Sequence, residues 1–210
     1  MGKSNTKIIL LSFLIIATGF ITAVIANHII GEWAFIPLAI VYWVSIFIAV
    51  KPTKKKLTEI FRYSSEKNLK YILIAFIPVL FCIVSFVWGI QYISGIVLIV
   101  LWILFAVVNP VAEELFWRAY LIDNLNWKPA IKILFSSALF LLSHMMWGVF
   151  SVTIRSYIMI MPLLIMGITW GYVYYKTKSL KWCIIAHFFV DIMNLSVWVF
   201  LNIYIPPVIQ

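Results

Sequence analysis

Charged residues are scarce in this sequence: they make up 11% of its 210 positions, whereas hydrophobic residues make up 65%. The mean hydropathy is +1.08. A soluble globular domain needs more polar surface than this composition provides, so the sequence argues against one and favours a polytopic membrane protein. The length suits one domain, and the chain contains no convincing internal repeat. We therefore expect residues 1–210 to form a single integral-membrane domain.

Cysteine is also rare, and the two cysteines, Cys82 and Cys183, both lie inside apolar runs. Cysteines in such positions are typical of small buried hydrophobic side chains. The sequence therefore predicts neither a disulfide framework nor a cysteine metal site, and it does not fix a redox compartment.

Acidic residues are few beside the basic ones, and the formal net charge of +9 could indicate a nucleic-acid partner. The distribution of the basic residues argues against that partner. If the N-terminus is cytoplasmic, 14 of the 16 lysines and arginines fall in cytoplasmic segments, as the positive-inside rule requires. The longest such segment, 51–70, is expected to be a cytoplasmic connection whose lysines can contact anionic lipid headgroups.

Seven apolar segments are long enough, or nearly so, to cross a bilayer core of about 30 Å as helices. They are 8–27, 34–50, 71–89, 95–121, 129–149, 157–175 and 182–204. The sequence thus predicts an all-α bundle of about seven transmembrane helices, or eight if one helix is split or re-entrant. Pro110 is expected to interrupt the overlong fourth segment because proline removes a backbone donor and kinks a helix.

Six acidic, basic or histidine residues lie deep within these spans, where each costs about 2.5–3.5 kcal/mol on insertion scales. Such residues usually face the bundle interior and are candidates for function. They are Glu113, Glu114, Arg118, His144, His187 and Asp191.

The acidic pair divides into two expected roles. Glu114 and Arg118 stand at i and i+4 on one helix face and can form an internal ion pair that makes their burial tolerable. Glu113 lies about 100° around the helix from Glu114. We expect it to be left partly unpaired, which makes it a candidate general base for activating water.

The histidines lie on two later helices. His144 follows Phe140 by one turn, and His187, Asp191 and Asn194 form a polar stripe at i, i+4 and i+7 that must face protein or a water-filled cavity. A rise of 1.5 Å per residue brings Glu113, His187 and Asp191 to one level but leaves His144 deeper, so tilt or an offset of its helix must close the gap.

Three motifs in this order resemble those of the CPBP family of intramembrane proteases, also called the Abi or CAAX-protease family. They are "EELFWR" (Glu113 to Arg118), "FLLSH" (Phe140 to His144) and "HFFVD" (His187 to Asp191), with "GITWGYVYYKTKSLKWCIIAH" leading into the last. In this lead-in, Gly167 and Gly171 would allow close helix approach. The resemblance covers residues 95–194.

The resemblance implies hydrolysis of a peptide bond within the membrane. Glu113, helped by His144, would polarise the attacking water, and His187 with Asp191 would stabilise the oxyanion. Glu114 and Arg118 would hold the site in shape, with Phe140 and Asn194 in support. An ionised Asp191 cannot donate a hydrogen bond, so it must be protonated, orient His187 or bind a metal.

Metal dependence stays open at this point. Family members are described both as metalloproteases and as glutamate-dependent enzymes. We expect either no cofactor or a zinc ion, for which the candidate ligands are Glu113, His144, His187 and Asp191. Zinc in a catalytic site needs three protein ligands and an open position, and the zincin motif H-E-x-x-H does not occur here.

The expected substrate is a peptide or a membrane protein in a bacterial cell membrane, because the Ile-, Lys- and Phe-rich composition indicates an AT-rich bacterial genome. Bacterial relatives are associated with bacteriocin maturation or self-immunity, and eukaryotic ones with trimming of prenylated CAAX C-termini. A non-catalytic immunity or binding protein of the same fold is the alternative. A proton-coupled transporter is a further one, since buried Glu, Arg and His also mark ion paths.

Overall fold

A computed structural model describes residues 5–53, 57–58 and 69–210, and among these residues it contains helices and no strand. Ten α-helices are labelled here in chain order. They are α1 (Asn5–Ile30), α2 (Phe35–Val50), α3 (Leu69–Gly89), α4 (Ile96–Glu113), α5 (Leu121–Asn124), α6 (Pro129–His144), α7 (Val152–Arg155), α8 (Ile160–Thr177), α9 (Lys181–Met193) and α10 (Ser196–Phe200).

Five stretches of the described chain are long and apolar enough to cross a membrane. They are Asn5–Val50, Leu69–Tyr92, Ile96–Asn124, Pro129–Val149 and Tyr157–Thr177. The first of these stretches contains both α1 and α2, which are joined by the 3₁₀ turn Gly31–Ala34. The all-α membrane bundle is confirmed, whereas the number of spans remains a prediction. Most of the basic segment 51–70 lies outside the described residues, since 54–56 and 59–68 are not described.

The expected interruption at Pro110 is wrong. Helix α4 continues through Pro110 to Glu113, and the irregularity follows it as a π-helix, Glu114–Tyr120. Pro110 is buried, and a proline in a membrane helix is tolerated where neighbouring helices surround it. All seven residues of the π-helix are buried, so protein surrounds this segment on every side. Single π-turns occur frequently at functional sites.

The last apolar segment, 182–204, is not one helix as predicted. Helix α9 ends at Met193, and Leu195 adopts a left-handed backbone conformation, with φ of 53°, before the short helix α10 begins. Two side chains accompany the break by donating to the backbone carbonyl of Asp191: the hydroxyl of Ser196 at 2.9 Å and the indole of Trp102 at 3.2 Å. At the break, the Asp191 carbonyl therefore accepts hydrogen bonds from side chains in place of a helical backbone N–H.

Helix α8 packs closely against α6, and Gly167 permits this approach. A Cβ atom added at Gly167 would lie 2.7 Å from the Cβ and 2.9 Å from the Cα of Ser137. A Cβ at Gly171 would lie 3.1 Å from a methyl group of Ile133. The prediction that these glycines allow helices to approach is confirmed most clearly at Gly167, where backbone is the obstacle.

Substituting Gly167 with alanine is expected to lower the free energy of unfolding by about 1–3 kcal/mol, because the added methyl overpacks a contact with the Ser137 backbone. Thermal unfolding of the detergent-solubilised protein measures this effect. Gly171→Ala is the matched control and should cost less, since the Ile133 side chain can move. Equal melting temperatures for Gly167→Ala and wild type would contradict the close α6–α8 contact.

Candidate active site

The imidazole of His187, on α9, lies between the two adjacent glutamates. Its Nδ1 is 3.0 Å from Oε1 of Glu114, which is hydrogen-bond distance, so Nδ1 donates to that carboxylate. Its Nε2 is 3.5 Å from Oε2 of Glu113 and 3.7 Å from Oδ1 of Asp191. These two separations are longer than direct hydrogen bonds. The side chains of Glu113, Glu114 and His187 are all buried.

Glu114 also contacts Arg118, as the i, i+4 spacing predicts. Oε2 of Glu114 lies 3.2 Å from Nε of Arg118, and both side chains are completely buried. The separation qualifies as an ion pair, but its angle does not make a hydrogen bond, and none of the guanidinium nitrogens has a hydrogen-bond partner in the described part of the chain. The rings of Phe140, at 4.2 Å from the guanidinium carbon, and Trp170, at 5.4 Å, face the cation instead.

Trp170, on α8, also holds His187 in place. Its ring stacks on the imidazole with centroids 4.5 Å apart and an interplanar angle of 25°. Its indole N–H donates to the Ala75 carbonyl of α3 at 2.9 Å. A hydrogen bond to Glu114 on one edge and an aromatic ring against one face thus fix the orientation of His187.

The sequence predicted that Glu113 would be partly unpaired, but both of its carboxylate oxygens accept hydrogen bonds. The Tyr42 hydroxyl donates to its Oε1 at 2.9 Å, and the Asn109 amide donates to its Oε2 at 3.3 Å. The second N–H of that amide donates to Oδ2 of Asp191 at 3.2 Å. The donor Tyr42 comes from α2, a helix outside all three motifs, so the motifs do not reveal it.

A pair of neighbouring α2 residues, Tyr42 and Trp43, thus anchors the acidic cluster. Trp43 donates through its indole N–H to Oδ1 of Asn109 at 3.1 Å, which directs the Asn109 amide toward the carboxylates. Trp117 donates to the Tyr42 hydroxyl at 2.9 Å, which directs the Tyr42 proton toward Glu113. The i, i+4 spacing of Asn109 and Glu113 is a sequence signal that could have identified Asn109. Tyr42 and Trp43 carry no such signal.

Removing the Tyr42 hydroxyl, as in Tyr42→Phe, is expected to lower kcat about tenfold and to leave KM unchanged, because Glu113 loses a donor but the substrate loses no contact. Steady-state kinetics on the purified protein separate the two constants. Tyr71→Phe is the control, since the Tyr71 hydroxyl makes no hydrogen bond within the described residues. An unchanged kcat for Tyr42→Phe would show that this hydroxyl does not position Glu113.

His144, the last residue of α6, lies half-buried at the edge of a cavity. Its Nδ1 is 2.9 Å from the Phe140 carbonyl and must therefore be the protonated nitrogen of the neutral ring. Its Nε2 then keeps a lone pair and makes no hydrogen bond with any described residue. His144, His187, Asp191, Asn109 and Asn194 all line this one cavity, so the depth difference expected from the sequence does not keep His144 from the site.

The cavity has a volume of about 80 Å³, which leaves room for water beside His187. Glu113 does not line it and lies behind Asn109 and His187, which contact both Glu113 and the cavity. Across residues 5–53, 57–58 and 69–210, no group of three or more His, Cys, Asp or Glu side chains is arranged to hold a metal ion. The residues as arranged do not fit a zinc site.

Most of these residues lie in a segment that matches a known protein family. Residues 95–193 match the family described as type II CAAX prenyl endopeptidase Rce1-like. This part of the chain is similar to an Rce1-like domain. The match confirms the predicted resemblance, and it contains Asn109, both glutamates, both histidines and Asp191.

The Rce1-like family is a protease family, so the match supports a CAAX- or CPBP-type intramembrane endopeptidase. The match and the five apolar stretches together indicate an integral membrane protein. Tyr42 and Trp43 lie outside the Rce1-like segment. Comparison with curated proteins and with solved structures gives no match.

Proposed function

We propose that this protein is an intramembrane endopeptidase that hydrolyses a peptide bond with a water molecule activated by Glu113. The observation that carries the proposal is the buried His187 imidazole, which faces Glu113 and Asp191 with one nitrogen and donates to Glu114 with the other. In a chain with an Rce1-like segment, this arrangement provides a base, a donor and a small cavity for the attacking water.

Glu113 is the proposed general base. The gaps of 3.5 Å and 3.7 Å from His187 Nε2 to the carboxylates of Glu113 and Asp191 are longer than direct hydrogen bonds but leave no room for a water molecule between the atoms. The attacking water would enter from the cavity that His187 lines and would reach Oε2 of Glu113 beside Nε2. Catalytic hydrogen bonds are often long before substrate binds. Glu113 would accept the water proton as oxygen attacks the carbonyl carbon, and would later return it to the leaving amine.

His187 is the proposed donor to the oxyanion. Three carboxylates, those of Glu113, Glu114 and Asp191, surround the ring, and Arg118 supplies only one positive charge. With a proton on each ring nitrogen, His187 carries a positive charge that balances a second carboxylate. Such an imidazolium donates hydrogen bonds through both nitrogens. His144, with its Nε2 lone pair at the cavity edge, is placed to hold the attacking water.

Asn109 holds the two carboxylates beside His187. An ionised Asp191 has no proton to donate, and its Oδ2 accepts from one Asn109 N–H at 3.2 Å while the other N–H donates to Glu113. We propose that Asn109 positions Glu113 and Asp191, and that Asp191 orients His187, which remains the donor to the oxyanion. Glu114, Arg118 and Phe140 keep His187 in place, and Asn194 forms part of the cavity wall.

The proposed substrate is a peptide or membrane protein of a bacterial cell membrane, as in bacteriocin maturation or self-immunity, or a CAAX-like C-terminus. To test this, the purified protein is incubated with an apolar peptide or with a farnesylated CAAX peptide, and fragments are detected by mass spectrometry. Each reaction is run with and without a zinc chelator. We expect cleavage that persists with the chelator. Loss of cleavage with the chelator and its return with zinc would overturn the metal-free mechanism.

A further inference from the structure

The cavity beside His187 has an apolar lining besides its polar groups. This apolar lining, here called the apolar extension, includes Leu163, Met166, Val199 and Phe200, with Tyr204 and Pro206 from the C-terminal segment. The proposed chemistry uses only the polar groups of the cavity. The apolar extension is therefore available to another part of the substrate.

One polar group in this apolar extension has no partner. Thr153, on α7, lines the cavity, and the residue is 5% exposed. Its hydroxyl oxygen is buried and makes no hydrogen bond with the described residues. A buried hydroxyl without a hydrogen-bond partner is destabilising. A molecule bound in the cavity could provide the hydrogen-bond partner of Thr153.

The backbone that carries Thr153 is fixed. The Asn202 side chain accepts from the backbone N–H of Val152 at 2.9 Å and donates to the Phe150 carbonyl at 2.7 Å. The Ser151 hydroxyl donates to the Val199 carbonyl at 2.8 Å. These three bonds tie α7 to the segment that follows α9, so Thr153 is held at the cavity wall.

We propose that the apolar extension is a substrate subsite. It receives an apolar side chain next to the scissile bond, and the Thr153 hydroxyl hydrogen-bonds the main chain of that substrate residue. This inference rests on the proposed endopeptidase function, because it places the subsite directly beside the proposed catalytic groups. An apolar side chain fits the lining, and a peptide amide or carbonyl gives Thr153 the partner it lacks.

Peptide binding to the Glu113→Gln protein tests the subsite without cleavage. The probes are two short fluorescein-labelled peptides that differ only at a central residue, leucine in one and aspartate in the other. We expect the leucine peptide to bind more tightly. Adding Thr153→Val should weaken that binding roughly threefold to tenfold, the effect of one neutral hydrogen bond, and leave the melting temperature unchanged or raised.

Thr22→Val is the control, because the Thr22 hydroxyl donates to the Thr18 carbonyl of its own helix at 2.8 Å and lies outside the cavity. It should not change peptide affinity. Binding of the leucine peptide that Thr153→Val leaves unchanged, or equal binding of the two peptides, would overturn the subsite. Cleavage by wild type and its loss in Glu113→Gln decide the proteolytic function separately.

Discussion

Replacing Glu113 with glutamine is expected to lower kcat by about 10²–10⁴-fold, the usual contribution of a general base. Glutamine keeps the size of the side chain and an oxygen that can accept from the Tyr42 hydroxyl, but it cannot accept a proton from water at neutral pH. The loss corresponds to about 3–5 kcal/mol of transition-state stabilisation. The melting temperature should change little, because the side-chain volume and the Tyr42 hydrogen bond remain and the loss of a buried charge offsets the lost hydrogen bond from Asn109 to Oε2.

Glu32→Gln is the control for this substitution. Glu32 is an exposed glutamate in the turn between α1 and α2, far along the chain from the acidic cluster, and its replacement should leave kcat unchanged. Kinetics and thermal unfolding are measured on both variants in the same detergent. A Glu113→Gln protein that cleaves at the wild-type rate would show that Glu113 is not the base.

Replacing Arg118 with methionine is expected to destabilise the protein by about 3–5 kcal/mol, because it leaves the Glu114 carboxylate completely buried without its cation. The removal also deprives the Phe140 and Trp170 rings of the charge that they face. Thermal unfolding measures the change, which should appear as a fall of about 10 °C in apparent Tm.

The double variant Glu114→Gln/Arg118→Met separates stability from activity. Removing both charges should restore most of the lost stability, since a buried ion pair is often close to neutral against uncharged groups. It should leave kcat low, because His187 loses the carboxylate that orients it. Lys178→Met, which breaks an exposed pair with Asp123, should cost less than about 1 kcal/mol. A double variant as unstable as Arg118→Met would contradict the ion pair as the source of the cost.

Much of the fold follows from hydrophobicity, because a bilayer admits only long apolar helices and their limits are visible in the chain. Two predictions about helix limits were wrong because tertiary contacts decide them. Pro110 does not end α4, since neighbouring helices surround it. The chain after Asp191 does not stay helical, since Ser196 and Trp102 take over the hydrogen bond of the Asp191 carbonyl. Local sequence does not identify Ser196 or Trp102 as a donor to the Asp191 carbonyl.

The candidate site was predictable where its residues share one helix. The Glu114–Arg118 contact follows from their i, i+4 spacing, and the His187–Asp191 stripe follows in the same way. Contacts between helices were not predictable, because hydropathy gives no register between one span and another. For that reason Tyr42 was missed, and so was the position of His187 between the two glutamates.

In the proposed mechanism the buried cluster makes water attack a peptide bond. Cleavage of an apolar peptide by the purified wild-type protein in ¹⁸O-labelled water, followed by mass spectrometry of the fragments, tests this step. We expect one ¹⁸O atom in each new carboxyl terminus and loss of the labelled fragments in Glu113→Gln. Fragments that carry no ¹⁸O, or labelled fragments formed equally by Glu113→Gln, would contradict it.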